Sequence, residues 1–198
     1  MDGSFLSAVV ILLLVMDPIG NIPLFASVLR NVGPRRRALV IARECAIAFL
    51  ILAVFAYCGK AILDLFGISD PSLTIAGGVI LFLIALHMIF RSGVDIFGDT
   101  PAGEPFIVPL AIPAIAGPAA IATVVLLAST APDRFLERVA GVSVAMLVTL
   151  ILLIAAGRIS GFLGERGLIA IERLMGLILT AIAVEMLLRG IQAFVRQI

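Results

Sequence analysis

Two apolar stretches of this sequence are interrupted by residues that break helices and could bind a ligand. The first interruption is Asp17-Pro18-Ile19-Gly20-Asn21-Ile22-Pro23, in the middle of the run from Ser4 to Leu29; the second is Gly117-Pro118, preceded by Pro109 and Pro113, in the run from Pro105 to Thr130. Proline donates no backbone N–H and pushes the residue before it out of helical geometry. Asp17 is therefore expected to cap a half-helix whose first residue is Pro18, and Gly117-Pro118 to open another half-helix without a carboxylate. The amides behind Pro118, on Ala119, Ala120 and Ile121, would lack helical acceptors and sit at the positive end of the helix dipole, where an anion is favoured. Asp17, with carbonyls freed near Met16, offers the opposite pole, Gly20 lets the backbone come close, and Asn21 lies one turn beyond. A small zwitterion satisfies both poles. The alternatives are that Asp17 only caps its own half-helix, that the prolines and glycines are kinks, and that Asn21 hydrogen-bonds between helices.

The elements that must position these residues follow from composition. Of 198 residues 62% are hydrophobic and 14% charged, and the mean hydropathy of +1.24 exceeds what a water-soluble core can use. A bilayer core about 30 Å thick needs roughly 20 apolar residues in a helix, so the chain reads as an all-α polytopic membrane protein of six spans. These are 4–29, 38–59, 71–90, 105–130, 139–157 and 168–188, with the first and fourth broken. In hydrocarbon an unpaired backbone group costs several kcal/mol, so a mid-depth break is tolerated only against protein or a water-filled cavity.

The third and sixth spans end in related runs, Ala85-Leu86-His87-Met88-Ile89-Phe90-Arg91 and Ala183-Val184-Glu185-Met186-Leu187-Leu188-Arg189. The same register aligns Gly78 with Gly176 and Gly59 with Gly157, and a small gap brings Asp17-Pro18 onto Gly117-Pro118. The chain thus reads as two three-helix repeats, 1–98 and 99–198, within one transmembrane domain; three spans per unit is odd, so the second is expected to be inverted. Arg30, Arg35, Arg36, Arg37, Arg91, Arg158 and Arg166 fall on one side, against Lys60, Arg134, Arg138, Arg189 and Arg196 on the other. The bias puts the first group in the cytoplasm and both termini outside.

Arg43 and Glu44, inside the second span, read as an interfacial ion pair or as a gate. His87 and Glu185, at equivalent repeat positions, are further gating or coupling candidates, since histidine can carry a proton at physiological pH. Ala76, Gly77, Gly78 and Gly176 read as close helix contacts. Cys45 and Cys58 share one helix about 20 Å apart and cannot pair. With a net charge of +1, no phosphate-cradling loop, one histidine and no paired cysteines, no nucleic-acid partner, metal or cofactor is expected, and neither an ATP-driven pump nor another enzyme.

Through Val15-Met16-Asp17-Pro18-Ile19-Gly20-Asn21-Ile22-Pro23 and Pro109-Leu110-Ala111-Ile112-Pro113-Ala114-Ile115-Ala116-Gly117-Pro118 the sequence resembles the MarC family of bacterial and archaeal inner-membrane proteins. Phe66-Gly67-Ile68-Ser69 and Ala76-Gly77-Gly78 extend the resemblance over nearly the whole chain; Ala119 departs from it, where many relatives carry glycine. The family is named after an antibiotic-resistance locus and is distantly similar to the LysE amino-acid exporters. The resemblance implies a secondary transporter of small neutral amino acids such as glycine and alanine in the inner membrane, with proton or sodium coupling left open. Two other functions are an exporter of drugs or other metabolites, which needs a wider cavity, and an intramembrane enzyme acting on lipid, which needs a nucleophile beside a base.

Overall fold

The computed structural model describes residues 3–29, 32–90, 106–130 and 134–196. Arg30 and Arg91 of the basic side, and the opening residues 99–105 of the expected second repeat, lie outside them. The elements are α1 (Gly3–Met16), α2 (Ile22–Val28), α3 (Pro34–Phe66), α4 (Asp70–Phe90), an irregular wide turn (Leu110–Ile115), α5 (Pro118–Thr130) and α6 (Phe135–Val195). At Gly164, with φ +65° and ψ 178°, α6 leaves helical geometry in a conformation open mainly to glycine. This divides it into a first arm, Phe135–Gly164, and a second, Arg166–Val195. Those two arms, α3 and α4 are each long and apolar enough to cross a membrane, and the chain is an all-helical membrane protein.

Local chemistry sets the ends. Helix α3 stops at Gly67, whose φ of +64° lets its N–H reach Asp64 O (3.2 Å) and the Ile68 N–H reach Leu63 O (2.9 Å), a glycine cap that satisfies two otherwise orphaned carbonyls. The buried stripe of α3, Ile41, Cys45, Ala48, Leu52 and Ala56, repeats at helical spacing, as do Val142, Ala145, Thr149, Leu153 and Ala156 on the first arm of α6. The opposite faces carry Leu50, Tyr57, Leu65, Leu147 and Ile151, all more than half exposed. Among the described residues such an apolar surface is one that lipid accommodates.

Contacts at glycines give the helix directions. An added Cβ on Gly157 would lie 3.7 Å from Arg37 Nη1, and at the other end the Tyr57 and Phe135 rings meet edge-on at 5.6 Å, so α3 and the first arm of α6 are antiparallel. Helix α1 starts against that first arm, where Gly141 faces Phe5 and Val9. Helix α5 heads toward the far end of α3, where Gly59 meets Val125. The two interrupted segments therefore run in opposite senses. Helix α4 packs on the second arm through Gly78 against Ala183 O and Leu187, and through Gly176 against Ala85 O and Ile89, backbone approaches that small residues permit between membrane helices.

Candidate functional site

Asp17 ends α1. Its φ is +41°, a left-handed conformation that aspartate adopts more readily than most residues, and its side chain folds forward so that Oδ1 accepts the Gly20 N–H at 2.9 Å. Gly20 has no room for a side chain: a Cβ there would collide with the Asp17 carboxyl and come within 2.5 Å of Met88 Cε. The sequence places the start of the half-helix at Pro18, and the structure corrects this. Residues 18–21 form a turn closed by Asn21 N–H to Asp17 O (3.0 Å), and α2 begins at Ile22. The physical reason is Pro23, which occupies the first turn where a missing N–H costs nothing. Asp17 still caps, but through the turn rather than on the helix itself.

The second interruption starts one step further out. Glu44, wholly buried on α3, takes Arg43 Nη2 and Nε on Oε1 at 2.8 and 3.0 Å and the Ile107 N–H on Oε2 at 2.9 Å. Ile107 has φ +65°, costly for a β-branched residue, and the carboxylate holds it there while Arg43 covers the Phe106 ring at 5.0 Å. The wide turn follows, and α5 opens at Pro118. The Ile121 N–H closes onto Gly117 O at 3.0 Å, so the amides of Ala119 and Ala120 precede the first helical bond and Ile121 does not share their open end.

Asn21 joins the two interruptions. Its Nδ2 donates to Met16 O at 2.9 Å and to Ala114 O at 3.0 Å, across 93 residues of sequence. Around this bridge lies a cavity of about 210 Å³ lined by Asp17, Gly20, Asn21, Gly117, Pro118, Ala119 and Ala120, with His87 and Met88 from α4. Pro18 is buried beside it. Of the residues singled out in the sequence, Ile121 is absent from the lining, and so are Arg43 and Glu44, which hold the approach to the second interruption instead. Glu185 points away, ion-paired on the surface with Arg189 at 2.6 Å, because one position of helical register separates the lining face of the second arm from its lipid face.

Three contributors escape sequence reasoning. Glu172 reaches the cavity from the second arm; an acid among Leu168, Ile169 and Ile171 was the available signal, since ionisable groups in apolar spans face interiors. The Ala114 carbonyl and the Pro113 carbonyl, which a Cβ on Gly117 would meet at 2.7 Å, are backbone features that side-chain identity does not reveal. The cavity therefore joins carboxylates, an imidazole and the N-terminal amides of a 13-residue helix, groups suited to a small ligand bearing both charges.

Residues 3–195 match the family described as MarC family integral membrane protein. The UPF0056 inner membrane protein YhgN of Escherichia coli strain K12 is 44% identical over 195 residues, covering 98% of this chain and 99% of that one. A UPF0056 membrane protein of Buchnera aphidicola from Schizaphis graminum is 39% identical over 97% of this chain and 98% of its own. One from Methanocaldococcus jannaschii is 34% identical over 90% and 91%. No solved structure matches. With a helical bundle that exposes its apolar faces, two facing interruptions and a family match over almost its full length, the chain belongs to the MarC family of integral membrane proteins.

Proposed function

We propose that the protein is a secondary transporter of small neutral amino acids across the inner membrane, a carrier rather than an enzyme, built as six spans in two inverted repeats. The observation that carries this is the cavity at which both interruptions meet, bridged by Asn21. Discontinuous helices facing one another near mid-membrane are the usual site architecture of such carriers. The substrate carboxylate would lie at the first amides of α5 and its ammonium group by Asp17, in a cavity that Glu172 also lines. About 210 Å³ suits a glycine or alanine and is small for a hydrophobic drug, whose pockets start at about 300 Å³. His87, the only histidine, is the candidate for proton coupling; sodium remains the other driving ion.

Two further observations support the repeats. The opposite running senses of the interrupted segments are one, and the reciprocal contacts of Gly78 and Gly176 are the other. The terminal side of the membrane follows from the arginine bias, with both termini outside.

The test is counterflow of glycine and alanine in proteoliposomes. Asp17→Asn keeps an oxygen for the Gly20 N–H and removes the charge, so the protein should fold normally and lose transport. Ile84→Trp, a cavity-lining residue on α4, should obstruct binding; Gly117→Leu obstructs too but displaces the Pro113 carbonyl. Unaltered counterflow in both Asp17→Asn and Ile84→Trp would remove the cavity from the mechanism.

A further inference from the structure

We propose that the groove between α3 and the first arm of α6 is a binding site for one anionic phospholipid, with its phosphate between Arg37 and Arg158 and an acyl chain along Ile41, Ile151 and Ile154. The groove, of about 540 Å³, is separate from the central cavity and is lined by these five residues together with small ones. Its floor is aliphatic and opens onto the lipid-facing surface, where Ile151 and Ile154 are about half exposed. Two arginines from different helices line it, Arg37 of α3 and Arg158 of α6. Neither is ion-paired to a carboxylate among the described residues.

Arg37 is held across the groove rather than out in water. Its Nη2 donates to Val32 O at 3.3 Å, Nη1 lies over Gly157, and Nε is buried with no acceptor. A buried N–H without a partner is rare in native proteins, so this guanidinium keeps unused hydrogen-bonding capacity beside the groove. At Gly157 an added Cβ would touch Arg37 Nη1 at 3.7 Å, so a methyl fits there and only a larger side chain would extend into the groove. A soluble anion would leave the aliphatic floor empty, and a phosphatidylcholine would bring its own ammonium toward two guanidiniums. A net-negative headgroup with an acyl tail matches every surface, and paired basic residues between membrane helices favour such headgroups. The inference does not depend on what the central cavity carries.

The experiment is native mass spectrometry of the full-length protein in detergent, titrated with phosphatidylglycerol or with phosphatidylcholine of the same chains. Wild type should retain phosphatidylglycerol preferentially. Affinity should fall about fivefold in Arg37→Ala or Arg158→Ala and about thirtyfold in the double variant. Gly157→Leu should lose the lipid with both charges kept, and Arg35→Ala, on the same turn of α3 but outside this groove, should not. Equal retention of the two lipids by wild type, an undiminished preference in the double variant, or an equal loss in Arg35→Ala overturns the proposal. A measurement that needs no variant is the apparent melting temperature of wild type, which should rise more with phosphatidylglycerol than with phosphatidylcholine; no difference between the lipids overturns it as well.

Discussion

Replacing Asn21 by leucine keeps the number and branching of the side-chain heavy atoms, at somewhat larger volume, and removes the donor that ties the two interruptions together. Two bonds are lost, to Met16 O at 2.9 Å and Ala114 O at 3.0 Å. A typical hydrogen bond contributes about 0.5–1.5 kcal/mol net, and interhelical bonds in membrane proteins average about 0.6 kcal/mol. The pair is thus worth about 1–3 kcal/mol. Where the value falls reports on the cavity: carbonyls that water reaches lose little, so about 1 kcal/mol means a wet site, while two carbonyls stranded in a dry one cost about 3 kcal/mol. For a chain of this size that is roughly 2–12 °C in melting temperature. The assay is thermal unfolding in detergent at a fixed scan rate, comparing wild type, Asn21→Leu, Asn21→Ala and Asn21→Asp. The last should be the least stable, because an ionised carboxylate there would face both carbonyl oxygens. Melting temperatures within 1 °C of wild type for all three variants would mean that the bridge does not hold the interruptions together.

Gly20→Ala should destabilise by about 1 kcal/mol or more and weaken ligand binding, because the added Cβ evicts the Asp17 carboxyl; replacing glycine where a side chain fits would instead stabilise, so the sign of the melting shift decides. Glu44→Ala should cost about 3 kcal/mol by leaving the Ile107 N–H and Arg43 without their carboxylate, and Glu44→Gln, which keeps an acceptor, less; chemical unfolding of both measures the difference. Gly78→Ala and Gly176→Ala should each cost about 1–3 kcal/mol by overpacking and should do so to a similar degree, checked by melting the two side by side.

Helix-breaking is local chemistry, so Asp17-Pro18 and Gly117-Pro118 were legible as interruptions from the sequence. Apolar run lengths likewise foretold α4, whose expected start at 71 is one residue from the observed Asp70. The start of α2 was misplaced because two prolines competed, and the aspartate turn, which depends on Gly20 accommodating a carboxyl, decided for Pro23. Partners across long sequence separations were not legible: nothing in Asn21 names Ala114, and nothing in Glu44 names Ile107. The difference between Glu172, which lines the cavity, and Glu185, which does not, is one of helical phase against α4. Register of that kind is set by packing and not by residue type.

The contacts between α4 and the second arm of α6 carry one further step. Gly78 meets residues 183 and 187, and Gly176 meets residues 85 and 89; exchanging the two halves at the offset that aligns Gly78 with Gly176 turns one set into the other. The twofold relation of the proposed inverted repeats would produce this reciprocity, although Gly176 also meets Met88, which has no counterpart among the contacts of Gly78. In the proposed repeats the frame would be symmetric while the poles it carries are not, since Asp17 stands in one half where Gly117 stands in the other. A cavity of that kind distinguishes the two ends of a zwitterion: the carboxylate side chain repels an anionic group from one wall, and the N-terminal amides of α5 attract it to the other. Introducing Gly117→Asp should therefore destroy binding of a neutral amino acid even where the chain still folds, because both walls would then repel the same end of the ligand.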